Sequence, residues 1–309
     1  MALTKSPVQD AEALAHNVSS AMVAPTDVIR FIVVSMLAGG HLLLHDLPGV
    51  GKTLAARLIA ASINGSFRRI QFTPDLLPTD ITGTSIYHQA EGRFEFVPGP
   101  IFANVVLADE INRGSPRTQA ALLEAMAEGQ VTTDGKSYQL PEPFWVIATQ
   151  NEVDGYGTFP LPRAQLDRFM MALSIGSPDL EAQVTILERN QYGDPVVEPV
   201  VAIGSIREMQ AYVRQIEVAQ PVREYLARIV TATGHHPELA VSASPRAAVH
   251  LQRASQALAA LQCDTFVAPE HVRAVALPVL AHRLALLPSA TAAPADVIRG
   301  ILQDVPVPF

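Results

Sequence analysis

The chain is poor in cysteine and in lysine: among 309 residues there is one cysteine, Cys263, and three lysines, Lys5, Lys52 and Lys136. A lone thiol cannot close an internal disulfide, which excludes a stapled fold and points to a reducing compartment. Such a cysteine reads as a small buried apolar side chain. No Cys/His cluster has zinc-like spacing. Long apolar runs are also missing. The longest, near Phe31–Leu44, is broken by Gly39-Gly40-His41 and falls short of the roughly 20 residues that span a bilayer. The opening MALTKSPVQDAEA has acidic residues and no apolar signal segment. The expectation is a cytoplasmic protein without membrane association. Positive charge is scarce as well. Lys and Arg number 22 against 30 Asp and Glu, a net charge of −8, so no bulk field draws in nucleic acid.

What remains is enough to fold. Hydrophobic residues make up 49% of the chain, and its length suggests two domains. Residues 8–37 read as helical with a break near Ala24-Pro25, and His41–His45 as a buried strand. A helix is expected from Lys52 to about Ile63, with strands at Arg69–Phe72, Asn104–Ala108, Phe144–Thr149 and Met170–Ile175. Residues 84–99 read as a hairpin turning at Glu91-Gly92, and a second hairpin turns at Asp134-Gly135. A helix should run from Pro116 to Glu128. Buried strands alternating with helices imply an α/β fold with a mainly parallel sheet covered on both faces. The alternation stops near residue 176; from Asp179 to about residue 304 only helical periodicity is seen. The expected division is therefore an α/β core over 1–176 and an all-helical lid over 177–309.

Pro48-Gly49-Val50-Gly51-Lys52-Thr53 lies between a strand and a helix start, the context that gives a phosphate-binding glycine loop its meaning. Gly49 and Gly51 let backbone N–H groups turn toward phosphate oxygens, and the helix N-terminus favours an anion. Lys52 would meet the β- and γ-phosphates and Thr53 would ligate magnesium. A lysine in a first helical turn is disfavoured by about 0.3–1 kcal/mol unless an anion offsets it. Asp46 stands where the pattern has its first glycine; the loop works if that carboxylate points away. The expected nucleotide-binding residues are Pro48, Gly49, Val50, Gly51, Lys52, Thr53, Leu54 and Asp109, and the expected ligands are ATP or ADP with Mg2+.

Val105–Ala108 leads into Asp109-Glu110. Asp109 would hold the magnesium shell, and Glu110 would polarise the attacking water as general base. Gln150-Asn151, ending a neighbouring strand, could orient the same water. Arg163 and Arg168 lie in LPRAQLDRF, and Arg246 in SPRA. There Ser244 reads as N-cap and Pro245 as the first helical residue. Arg246 is then a cation against a helix dipole, which an incoming phosphate would explain and a surface salt bridge also would.

Together these residues resemble the AAA+ ATPases, and within them the MoxR family. The matching stretches are GGHLLLHDLPGVGKT, IQFTPDLLPTDITGT, FEFVPGPIFANVVLADEINR, TQAALLEAMAEGQVT, PFWVIATQNE, LPRAQLDRF and SPRA. The resemblance implies a P-loop AAA+ core followed by a helical lid. By it, Asn151 is the sensor of the γ-phosphate, Arg168 the arginine finger offered to a neighbouring subunit, and Arg246 the second sensor. Residues 75–100 resemble the helix-2 insert and 129–141 the pre-sensor hairpin. It further implies a homo-oligomeric ring, usually hexameric, and a chaperone-like ATPase acting on a protein partner, often one with a von Willebrand factor A domain or a metal cofactor. Three departures stand out. Arg163 occupies a place where the family usually has Glu, so two arginines compete for the finger role, with Arg168 favoured. Ala24-Pro25 replaces a usual Gly-Gln pair near the adenine. Ala268 precedes Pro269 where a Thr cap is usual.

A nucleic-acid motor on the same core is the alternative, with the two hairpins lining a pore; Lys136 and Arg93 are the fixed positive charges there. A nucleotide-dependent scaffold without turnover is the other, against which Glu110 argues. No Asn-Lys-x-Asp guanine-reading motif is present.

Overall fold

The computed structural model describes residues 7–46, 49–151, 157–191, 193 and 195–308. Helices α1 (Pro7–Ala21) and α2 (Thr26–Leu37) precede strand β1 (His41–His45) and helix α3 (Lys52–Ser62). Then come β2 (Phe67–Gln71), α4 (Pro78–Thr82), the hairpin β3 (Gly83–His88) and β4 (Arg93–Pro98), and β5 (Val105–Asp109). Helix α5 (Pro116–Glu128) is followed by the hairpin β6 (Gln130–Thr133) and β7 (Lys136–Gln139), then β8 (Trp145–Gln150), α6 (Arg163–Leu166) and β9 (Phe169–Leu173). The remainder comprises α7 (Leu180–Asn190), α8 (Ile203–Val213), α9 (Gln220–Gly234), β10 (Leu239–Val241), α10 (Pro245–Leu261), α11 (Pro269–Leu280), β11 (Ala285–Leu286) and α12 (Pro294–Asp304).

Five strands form one parallel sheet in the order β2-β5-β8-β1-β9. Its central strands are apolar on both faces because both faces are covered. Leu42, Leu44, Val105, Leu107 and Ile147 enter one core, while Leu43, Val106, Ala108, Val146 and Ala148 enter the other. The strict alternation is the period-two pleat. The first core continues without a break through α1–α3 into the helices after α7. Trp145 sits in it with its indole N–H donated to Gly40 O at 2.8 Å.

Both hairpins and the helix Pro116–Glu128 lie where the sequence places them. Local chemistry explains α5: Ser115 Oγ accepts from Thr118 N, proline opens the helix, and Gly129 ends it in the left-handed region. The last core strand is shorter than expected, ending at Leu173, because residues 174–176 bond instead to Asp46. Among the described residues after 179, helices predominate, with the antiparallel β10–β11 ladder and an isolated Glu217–Phe266 bridge between them. Cys263 corrects the reading of a buried apolar side chain: it is exposed, at φ 64° just beyond α10. At Ala268 no side-chain oxygen caps α11, but His271 Nδ1 accepts the Ala268 N–H at 2.9 Å, supplying half of a capping box. Among the described residues no helix is long and apolar enough to cross a membrane.

Candidate nucleotide site

All the strands of the main sheet point the same way, so the residues after β1, β5, β8 and β9 gather at one edge. Open parallel sheets bind ligands in this crevice. After β1, Gly49 and Gly51 take φ of 86° and 94°, which side chains with a Cβ rarely adopt. Gly51 caps α3 with no side-chain hydrogen bond, leaving the first N–H groups of the helix for an anion. Leu47 and the predicted Pro48 lie outside the described residues. Lys52 Nζ donates to Asp46 O at 2.9 Å. Burial lowers the Lys52 pKa, opposed by the charges of Asp46, Asp109 and Glu110. The glycine loop and the acidic pair, more than fifty residues apart in sequence, therefore share one electrostatic site.

Asp109 closes β5 and is 8% exposed. Its Oδ1 accepts from Thr149 Oγ1 at 2.6 Å, and its Oδ2 from Arg69 Nε at 3.0 Å and Nη2 at 2.6 Å. Glu110 adopts φ 55°, ψ 50°, a left-handed conformation that costs about 1–3 kcal/mol for a non-glycine residue. Its N–H is held by Thr149 Oγ1 at 2.8 Å, and its carbonyl by Arg113 N at 2.8 Å. The turn aims the carboxylate away from the strand axis, where Gln71 Nε2 at 3.0 Å and Arg113 Nη1 at 3.1 Å both reach Oε2. Sequence reasoning missed these four supports. Arg69 and Gln71 come from β2, whose register sets Gln71 beside Asp109; Thr149 comes from β8 on the other side.

Asn151 follows β8, is buried, and its carbonyl accepts from Asn112 Nδ2 at 3.2 Å. The arginines are bonded elsewhere within the chain. Arg168 Nη1 donates to Leu123 O of α5 at 2.6 Å, beside a groove of about 500 Å³. Arg163 Nη1 donates to His282 O at 3.1 Å, next to the lid helices. Arg246 Nη1 lies 3.9 Å from Asp167 Oδ2 with its side chain half-exposed. Ser244 caps α10 as expected, accepting from Ala247 N at 3.2 Å, while its hydroxyl donates to Asp167 at 3.0 Å. Asp167 also receives Arg283 Nε at 2.9 Å. Arg283, 3% exposed, bonds the carbonyls of Phe169, Met170 and Val279 and donates to His250 Nδ1. Burial is the largest influence on Arg283, whose pKa falls to about 10.

Beside the glycine loop lies a cavity of about 600 Å³, within the range of small-ligand sites. Residues 22–25 form one wall, Gly49–Gly51 and Leu54 the floor, and residues 175–178 with Ala182 and Ile186 the other wall. Ala24-Pro25, where the sequence departs from the family pattern, thus contributes apolar surface to the cavity. The arrangement offers an apolar slot for a flat base, a glycine loop with a lysine for phosphates, and two carboxylates beyond it.

Residues 41–171 match the family described as "ATPase family associated with various cellular activities (AAA)", and residues 231–301 match the AAA lid domain. The chain is 44% identical over 298 residues to the uncharacterised protein YeaC of Bacillus subtilis, covering 95% of this chain and 93% of that one. It is 38% identical to the chaperone MoxR1 of Mycobacterium tuberculosis, over 97% of this chain and 83% of that one. Among solved structures, a candidate ATPase from Cytophaga hutchinsonii superposes with a TM-score of 0.91 at 34% identity, over 98% of this chain and 96% of that one.

Proposed function

The chain belongs to the MoxR family of AAA+ ATPases, and on that footing we propose that it binds Mg-ATP, hydrolyses it between neighbouring copies of itself, and uses the turnover to remodel or activate a protein partner. The observation that carries this reading is the glycine loop, with Gly49 and Gly51 at positive φ ahead of α3, lining a base-sized cavity, while Lys52 lies in the field of Asp109 and Glu110. In it, residues 1–176 act as the nucleotide-binding unit and 177–309 as the lid.

In this reading each residue's part combines the family resemblance with its surroundings. The glycine loop and the α3 N-terminus hold phosphate oxygens, and Lys52 exchanges its bond to Asp46 O for one to phosphate. Glu110 takes the proton of the attacking water; Gln71 and Arg113 set the direction of its carboxylate. Asn151 orients that water or the γ-phosphate, and Arg246 reports phosphate to the lid. Arg168 reaches the ATP of an adjacent subunit, its bond to Leu123 O being a single one that assembly can break.

The donor set suits magnesium: Thr53 and Asp109 are hard oxygen ligands, and Asp109 already holds a cation, Arg69, on Oδ2. Among the described residues no three His, Cys, Asp or Glu cluster to hold a metal on their own. Thr53 and Asp109 would therefore share the ion with phosphate and water. When bound, it would neutralise charge on the β- and γ-phosphates.

A protein partner is supported by the chaperone name of the Mycobacterium tuberculosis relative. The family resemblance favours a hexameric ring and a partner of the von Willebrand factor A kind.

The test is steady-state ATP hydrolysis across a protein dilution series, for wild type and Glu110→Gln. An arginine supplied in trans contributes about 10³–10⁵ in rate, so specific activity should climb with concentration as copies assemble. Glu110→Gln should bind ATP and turn over none. A specific activity that is flat with dilution would sink the trans arrangement, and full turnover by Glu110→Gln would remove Glu110 from the mechanism.

A further inference from the structure

Asp46 occupies a place where phosphate-loop patterns have glycine, and a carboxylate aimed at phosphate would repel it. The side chain is turned away and 7% exposed. Its Oδ1 accepts from Ser174 Oγ at 2.8 Å and Gly176 N at 3.1 Å, and its Oδ2 from Ile175 N at 2.7 Å. Its backbone carbonyl faces the other way and accepts from Lys52 Nζ at 2.9 Å. The residue thus touches the phosphate-binding lysine with its main chain and the segment 174–176 with its side chain.

That segment is where the two strands part. β1 and β9 pair in parallel as far as Leu44 and Leu173. Beyond them one chain turns into the glycine loop and the other runs on as the cavity wall at residues 175–178. The Asp46 side chain ties the two across the gap. A glycine in its place would leave the N–H of Ile175, a buried residue, without its acceptor and would let loop and wall move separately.

We propose that Asp46 is a positioning residue that couples the triphosphate site to the base site, so that a nucleotide engaging both binds more tightly than its parts would on separate elements. This rests on the reading of the cavity as the base site of an ATPase. Loop and wall are linked through this one residue, whose main chain leads into the glycine loop and whose buried carboxylate holds Ser174, Ile175 and Gly176.

The experiment compares the affinity of the full chain for Mg-ATP and for magnesium tripolyphosphate, which has no base, by titration calorimetry. The variants are Asp46→Gly and Ser174→Ala. Losing charge-assisted bonds of this kind should weaken ATP by about tenfold in Asp46→Gly and leave tripolyphosphate within about twofold. Ser174→Ala, which removes one donor on the wall and leaves the phosphate loop intact, should shift ATP alone by about threefold, and it carries the test if Asp46→Gly does not fold. If tripolyphosphate weakens as much as ATP, Asp46 only shapes the loop and the coupling is wrong. If neither ligand changes, Asp46 is a passive anchor and the proposal also falls. A wild-type chain that binds no nucleotide overturns the site reading itself, and the coupling with it; a wild type that binds ATP beside variants with no selective loss overturns the coupling alone.

Discussion

Single residues at this site are held by partners that set their charge and direction. Arg69 and Asp109 form an ion pair at 2.6 Å, but the Arg69 side chain is 49% exposed, so water and salt screen the pair to about 1 kcal/mol or less. Arg69→Gln should therefore lower the magnesium concentration for half-maximal ATPase activity by no more than about fivefold; a rise in that concentration would mean that Arg69 assists rather than competes. Three histidines, His41, His250 and His282, make the fold acid-sensitive, each lowered chiefly by burial. Burial lowers His41 from 6.5 to about 4, against the raising effect of its bond to Met126 O. Its Nδ1 accepts from Val146 N at 3.0 Å and cannot do so once protonated. Burial, then the Arg283, Arg253 and Arg246 charges, lower His250 to about 3. As pH falls through 6.5 the unfolded chain takes up these protons, whereas the folded chain keeps His41 neutral down to about 4 and His250 down to about 3. Stability is thus lost across that window. The urea midpoint should be lower at pH 5 than at pH 7, and the gap should shrink in His41→Gln; an undiminished gap would clear His41 of the effect. The partners from other strands, Arg69 for Asp109 and Val146 for His41, show in no local window, whereas Lys52, Thr53, Asp109 and Glu110 are readable from spacing alone, since each follows a strand in a recognisable run.

Elements with local punctuation were legible. The helix Pro116–Glu128 carries its own cap, opening proline and closing glycine, and both hairpins announce their turns. The β10–β11 ladder was not, because strands of three and two residues have no period to detect. The β3–β4 hairpin shows a subtler limit: its strands were foreseen but its neck was not. A Cβ on Gly99 would stand 2.2 Å from Ile81 O, and one on Gly83, at φ 95°, 2.4 Å from Val97 O. Further out, Phe96 stacks on Tyr138 with centroids 3.9 Å apart and meets Phe102 edge-on at 5.7 Å, fastening this hairpin to β6–β7. Gly99→Ala should overpack the neck by about 1–3 kcal/mol, and Phe96→Ala should forfeit about 0.5–1.5 kcal/mol for each ring pair. Hydrogen exchange over residues 83–98 should quicken in both while the central sheet stays protected. Faster exchange in β5 or β8 would show that the hairpin supports the core instead.

At the scale of the whole molecule, the proposed trans arrangement requires a second copy to supply an arginine. Two arginines were candidates for the finger, and the fold ties Arg163 to His282 beside the lid and Arg168 to α5. Arg168→Ala and Glu110→Gln chains should each be inactive alone. Mixed in equal amounts, about one interface in four pairs an intact Glu110 with an intact Arg168 across a head-to-tail contact, so about a quarter of wild-type turnover should return. No recovery would place both residues in one subunit, and an Arg163→Ala chain that is inactive alone but recovers with Glu110→Gln, beside an Arg168→Ala chain that stays active alone, would transfer the role. The sequence by itself determined the glycine loop, the acidic pair, the α/β alternation and the helical C-terminal region, because each is written in spacings of a few residues. Only the tertiary structure decided where Asp46 points, which side chains hold Asp109 and Glu110, and which elements bind the arginines. Parallel strands meet only after long crossovers, so Arg69 and Thr149 reach Asp109 from 40 residues away on either side, and no local pattern encodes contacts made at that distance.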